Sequence, residues 1–170
     1  MKVQTCLGID ENQRRIPALG MWYLNPIDRW RLFASPSEAK LLRWWHERAK
    51  DDEKLAHPTN GTQWKRFDEM YPEFAKDPRN VRFALSTDGT NPFRDRSSTH
   101  STWPVILTIY NLPTWLCQKR KYLLLCIMIQ GPKQPGFDVD VFLEPLMKAM
   151  AKLWEEGFKI WTSLQRKSSL

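Results

Sequence analysis

The sequence predicts an α/β chain in which helices come first, three antiparallel strands follow and one long amphipathic helix closes the order. Three observations carry this. Val81, Phe83, Leu85 and Thr87 alternate with Arg82, Ala84, Ser86 and Asp88, the period of two that puts apolar side chains on one face of an extended chain. Two further extended runs, Thr102 to Tyr110 and Tyr122 to Ile129, follow through connections too short for a crossover helix, so the three strands pair as an antiparallel meander. Finally Phe142, Leu143, Leu146, Met147, Met150, Leu153, Trp154, Phe158 and Trp161 recur at three- and four-residue steps, while Lys148, Lys152, Glu155, Glu156 and Lys159 fall between them.

Taken in order, residues 1–30 mix Gly, Pro, Asn and charge without a steady period and read as a poorly ordered basic arm. Residues 31–78 read as a helical region. Ser35-Pro36-Ser37-Glu38 has a capping Ser, a Pro at the first helical position and a Glu three residues after the cap, which predicts a helix from Pro36 to Ala49. A second helix is predicted from Thr62 to Met70, capped by Asn60 or Thr59 and stopped by Pro72. His46, late in the first helix, and His57, between the two, have no Cys or further His at ligand spacing, so they read as structural or surface histidines. Residues 79–162 hold the three strands and the closing helix, capped by Asp138 or Asp140, and 163–170 form a polar tail. Burial of that helix stripe, at roughly 1.5 to 3 kcal/mol per large side chain, is expected to contribute heavily to the fold.

The chain has 170 residues and a formal net charge of +7, the size of one domain with room for a core. Charge of this sign suits polyanions, nucleic acid ahead of anionic membrane, and suits a merely soluble basic protein about as well. Arg14, Arg15, Lys119, Arg120, Lys121, Arg166 and Lys167 are the candidate phosphate contacts, with a solvated face as the alternative for each cluster. Three cysteines at wide spacing, Cys6, Cys117 and Cys126, argue against a disulfide framework and for a reducing compartment. No secretory leader is visible at Met1, and the longest apolar run, Tyr122 to Ile129, is too short to span a bilayer. The expectation is an intracellular protein without a membrane partner, nuclear if it acts on DNA.

The chemistry-bearing stretch is Thr87-Asp88-Gly89-Thr90-Asn91-Pro92-Phe93. A strand that ends on a carboxylate and turns at once through Gly, Asn and Pro holds that carboxylate at a rigid sheet edge, where it can serve as a metal ligand. Asp-Gly is also a common turn dipeptide, and the residues alone leave both readings open.

These stretches, with Arg43-Trp44-Trp45-His46, His57-Pro58, Trp64-Lys65-Arg66-Phe67-Asp68, Tyr71-Pro72-Glu73-Phe74-Ala75, Arg79-Asn80-Val81-Arg82, Trp103-Pro104-Val105-Ile106-Leu107, Tyr110-Asn111-Leu112-Pro113, Gly131-Pro132-Lys133 and Asp140-Val141-Phe142-Leu143-Glu144-Pro145-Leu146, resemble the transposase of plant CACTA-type (En/Spm) DNA transposons over about Arg15 to Ile160. The resemblance implies the first half of a ribonuclease-H-like transposase core, three antiparallel strands and a helix, left incomplete. It places Asp88 at the first catalytic carboxylate and implies Mg2+ or Mn2+ as the ions and transposon-end DNA as the partner. Strand transfer uses two divalent ions about 3.5 to 4 Å apart, which need two or three converging carboxylates. The family's other two acidic residues fall past the equivalent of Leu170, so Asp88 is the one visible ligand and the chain is expected to be inactive alone. Asp138, Asp140 and Glu144 are poor substitutes: capping accounts for the two Asp, and nothing brings Glu144 to Asp88. Upstream of Arg15 the family carries a Cys-rich zinc-binding segment, of which Val3-Gln4-Thr5-Cys6 keeps one Cys. A noncatalytic nucleic-acid-binding or protein-interaction module derived from a transposon is the alternative. The family's fourth strand pairs beside the first, so its absence would leave the edge at Val81 to Thr87 open to self-association.

Overall fold

The computed structural model describes residues 5–9, 15–30, 33, 35–47, 56–93, 100–131 and 134–157. Near the start, β1 (Thr5–Ile9) pairs antiparallel with β2 (Arg15–Leu19), its register broken between Thr5 and Cys6 and again between Cys6 and Gly8. The absence of a steady period in this stretch therefore does not mean an absence of strands. Pro17 sits opposite Cys6 at one of these irregularities, as expected of a residue that cannot donate to a ladder.

Among the described residues the main sheet has four antiparallel strands, not three, in the order β3-β6-β5-β4. β4 (Phe83–Thr87), β5 (Trp103–Ile109) and β6 (Leu124–Ile129) are the predicted meander, each starting one or two residues later than its apolar pattern suggests. The added strand, β3 (Met21–Tyr23), pairs antiparallel with β6 through Met21↔Ile129, Trp22↔Met128 and Tyr23↔Ile127. Hydrogen bonds from Leu24 N to Cys126 O (2.7 Å) and from Gln130 N to Gly20 O (3.0 Å) extend the ladder at both ends. Three residues are too few for alternation to register, so partnership rather than pattern makes this strand.

Helices occupy most of the chain between β3 and β4. The single predicted helix from Pro36 is two, α2 (Pro36–Leu42) and α3 (Trp44–Glu47), after the four-residue α1 (Pro26–Arg29). The break lies at Arg43, whose N–H donates to Lys40 O at 3.1 Å and closes α2 on a tight turn. α4 (Thr62–Met70) has its predicted bounds, but Gly61 rather than Asn60 or Thr59 stands at its cap position. Pro72 both ends α4 and opens α5 (Pro72–Ala75). A short α6 (Thr114–Cys117) precedes β6, and α7 (Val139–Glu156) closes the described chain.

The chain divides into two compact units. The first takes the chain up to Asp28, then Leu85–Ile106, then Leu124 to the end of α7. In it α7 packs on β6, burying Phe142 and Leu146 with Met21, Val105, Ile127 and Ile129. The α7 stripe is only partly used, because Met147 and Trp154 remain exposed. Phe142 and Leu146 alone contribute about 3 to 6 kcal/mol, and Leu143, Met150 and Leu153 are half-buried beside them. The second unit takes Arg29–Ala84 and Leu107–Leu123. Its core includes Phe33, Leu42, Trp64, Leu107, Ile109, Leu112 and Tyr122. Trp30 touches both Phe33 and Phe83, with ring centroids 5.2 and 5.5 Å apart. Arg82 binds this unit across its elements: its guanidinium pairs with Asp68, donates to Trp64 O (3.2 Å) and lies 3.9 Å from the Trp64 ring centroid.

His57 is structural. It is buried, its Nδ1 accepts the Thr59 N–H at 3.2 Å, and its Nε2 lies 3.0 Å from Leu112 O. A carbonyl can only accept, so the imidazole is the neutral tautomer with its proton on Nε2. His46 is exposed on α3.

Candidate active site

Strand β4 delivers Asp88 to its C-terminal end, on the edge strand of the main sheet. The carboxylate is exposed, and its Oδ1 accepts the Gly89 N–H at 2.7 Å. Beyond it the chain is gathered by an antiparallel bridge in which Thr90 and Thr102 exchange backbone hydrogen bonds of 2.8 and 2.9 Å. Asn91 then closes an Asx turn by accepting the Phe93 N–H at 3.0 Å.

Gly89 is needed here for space. A Cβ at this position would stand 2.7 Å from Ser101 Oγ and 2.8 Å from Trp103 Nε1, and those two atoms are themselves hydrogen-bonded at 2.9 Å. Gly131 is packed the same way, where a Cβ would meet His100 Cε1 at 2.5 Å. His100 in turn stands edge-on to Phe93, with centroids 5.1 Å apart. The turn carrying Asp88 is thus seated on the start of β5 by contacts that only a hydrogen side chain allows.

Asp88 opens onto a cleft of about 300 Å3 lined by Ser86, Thr87, Asp88, Gly89, Thr90, Pro104 and Ile106. Alternation puts Ser86 and Asp88 on one face of β4, and Pro104 and Ile106 share one face of β5. The hydroxyls of Ser86 and Thr90 were not singled out in the sequence; the spacing Ser86-x-Asp88 was the available signal. A hard divalent cation takes several oxygen ligands. The cleft supplies one carboxylate and three hydroxyls, and among the described residues no three His, Cys, Asp or Glu stand together. This donor set does not by itself fit a catalytic ion.

Several other described acids have their own partners. Glu144 pairs with Lys148 on α7 at 2.7 Å, Asp68 with Arg82, and Glu38 with Lys121. Asp77 accepts three hydrogen bonds from the Arg79 side chain and one from its backbone N–H, which hold its carboxyl below the usual carboxylate range. Asp140 is exposed in the first turn of α7, and the Asp138 side chain lies outside the described residues.

Among the candidate phosphate contacts, Arg14, Arg166 and Lys167 lie outside the described residues, and Arg15 opens β2 with its side chain undescribed. Lys119 and Arg120 are exposed on the turn after α6. Lys121 is exposed too, but its ammonium is held by Glu38, whose hydrogen bond raises the Lys121 pKa. Cys117 and Cys126 are buried, and the side chain of Cys6 is undescribed. Among the described residues no helix is long and apolar enough to cross a membrane.

Comparison with known proteins gives one family: the model for transposase family tnp2 matches residues 52–169. Neither the curated proteins nor the solved structures give a match.

Proposed function

The chain belongs to transposase family tnp2, and from that premise we propose that it carries part of a cut-and-paste DNA transposase core, with Asp88 as the first metal-binding carboxylate. The observation that carries this is the exposed Asp88 at the end of an edge strand, over a cleft, within the matched residues. The meander β4-β5-β6 with α7 packed on β6 is what a ribonuclease-H-like core would supply at that point, and it supports this fold reading. The CACTA-type, plant and nuclear assignments rest on the motif resemblance. In this reading Asp88 offers one ligand to Mg2+ or Mn2+, and the remaining carboxylates come from outside the described residues. By itself the chain binds DNA without cutting it.

The test is to incubate the purified chain with labelled transposon-end duplex and Mg2+ or Mn2+. Binding that weakens steeply with salt, with neither nicking nor joining, is the expected result. Cleavage that Asp88→Ala abolishes would show the chain to be active alone. No DNA affinity at low salt would remove DNA as the partner. A noncatalytic nucleic-acid-binding role is the second reading, favoured by the exposed Lys119 and Arg120.

A further inference from the structure

The second unit carries an exposed indole followed closely in sequence by two exposed cations. Trp115, on α6, is 64% exposed. A singly exposed aromatic is ordinary on a protein surface, but three features set this one apart. First, it is held: its ring meets Trp44 edge-on with centroids 5.5 Å apart, and Trp44 meets the buried His57 in the same way at 5.3 Å. Second, its backbone is fixed from Pro113 to Leu123 by successive short-range bonds, Leu116 N to Pro113 O (2.8 Å), Lys119 N to Leu116 O (2.9 Å) and Leu123 N to Lys119 O (3.2 Å). Cys117 anchors that turn by donating its thiol proton to Leu112 O at 3.2 Å. Third, Lys119 and Arg120 follow within five residues, exposed and outside every ion pair among the described residues, while neighbouring Lys121 is engaged by Glu38.

We infer that Trp115, Lys119 and Arg120 form a contact site for single-stranded DNA, with an unpaired base stacked on the indole and the adjoining phosphates on the two cations. Duplex DNA keeps its base faces stacked inside and offers a surface indole only its edges and backbone. An unpaired base has a free π-face, and stacking on a fixed aromatic is how sequence-tolerant single-strand sites gain affinity. A preset indole also loses little rotamer freedom on binding. The inference rests on DNA being the partner of this family member.

The experiment measures binding of a labelled oligothymidylate and of a blunt duplex of equal length across a salt series. Trp115→Ala is expected to weaken the single strand by about tenfold or more and the duplex by less than about twofold, while Trp115→Phe keeps most of the affinity. Lys119→Gln with Arg120→Gln should weaken both ligands and flatten the salt dependence. Unfolding curves matching the parent chain show that the variants are folded. Single-strand affinity unchanged in Trp115→Ala, or lost equally for both ligands, overturns the stacking site while leaving DNA as the partner. Failure of the parent chain to bind either ligand at low salt overturns both.

Discussion

Asn111 is fully buried, yet both ends of its amide are used: Oδ1 accepts the Arg82 N–H at 2.8 Å and Nδ2 donates to Asn80 O at 2.9 Å. The side chain therefore stands in for a strand partner just before β4 begins. Asn111→Ala leaves both backbone groups without that partner, and a loss of about 2 to 3 kcal/mol in urea unfolding is expected. Two other residues contribute to the alkaline limit. Burial raises the Cys117 thiol above its ordinary value of 9.0, and burial together with the bond to Glu38 raises the Tyr122 phenol above 10.0. Both groups are neutral in the fold and ionise more readily in the unfolded chain, so their contribution is complete below the unfolded values and is lost as pH rises towards the folded ones. Stability should thus decline above about pH 9, and Tyr122→Phe should flatten that decline.

At the scale of elements, α2 shows how a correct boundary can rest on a wrong reason. Ser35-Pro36-Ser37-Glu38 has the letters of a capping box, and the helix does begin at Pro36. Yet the Ser35 side chain caps no backbone N–H of the helix; its Oγ lies 2.9 Å from Ser37 Oγ. Glu38 instead turns to residues far along the chain, accepting the Tyr122 hydroxyl at 2.9 Å and pairing with Lys121. The fixed φ of Pro36 at the first helical position is the start signal that remains. Ser35→Ala should accordingly cost less than about 0.5 kcal/mol, against roughly 1 for a working cap. Glu38→Ala should cost roughly 1.5 to 3 kcal/mol, since it strips a carboxylate from a partly buried hydroxyl. Reversal of that order in thermal unfolding would restore the capping box.

For the whole molecule, the strands β4, β5 and β6 could be read because period-two alternation is local. β3 and the β1–β2 pair could not, since three-residue length and register breaks erase the pattern. The place of Asp88 just past a strand end was legible from the alternation and the turn dipeptide, whereas the seating of Gly89 on Trp103 depends on the Thr90↔Thr102 bridge across a loop. The outer edge of β4 ends the sheet, and such an edge can pair with another chain. Concentration-dependent association in sizing chromatography is the expected behaviour; a single monomer peak at all concentrations together with slow amide exchange over Phe83–Thr87 would show the edge to be protected. The opposite edge has a consequence for synthesis. Trp22 pairs with Met128, more than a hundred residues later. At roughly 5 to 20 residues per second on the ribosome, Met21–Tyr23 waits about 5 to 20 s before β6 is made. The first-made strand of the main sheet is then among the last to dock, and folding can finish only once most of the chain has left the ribosome.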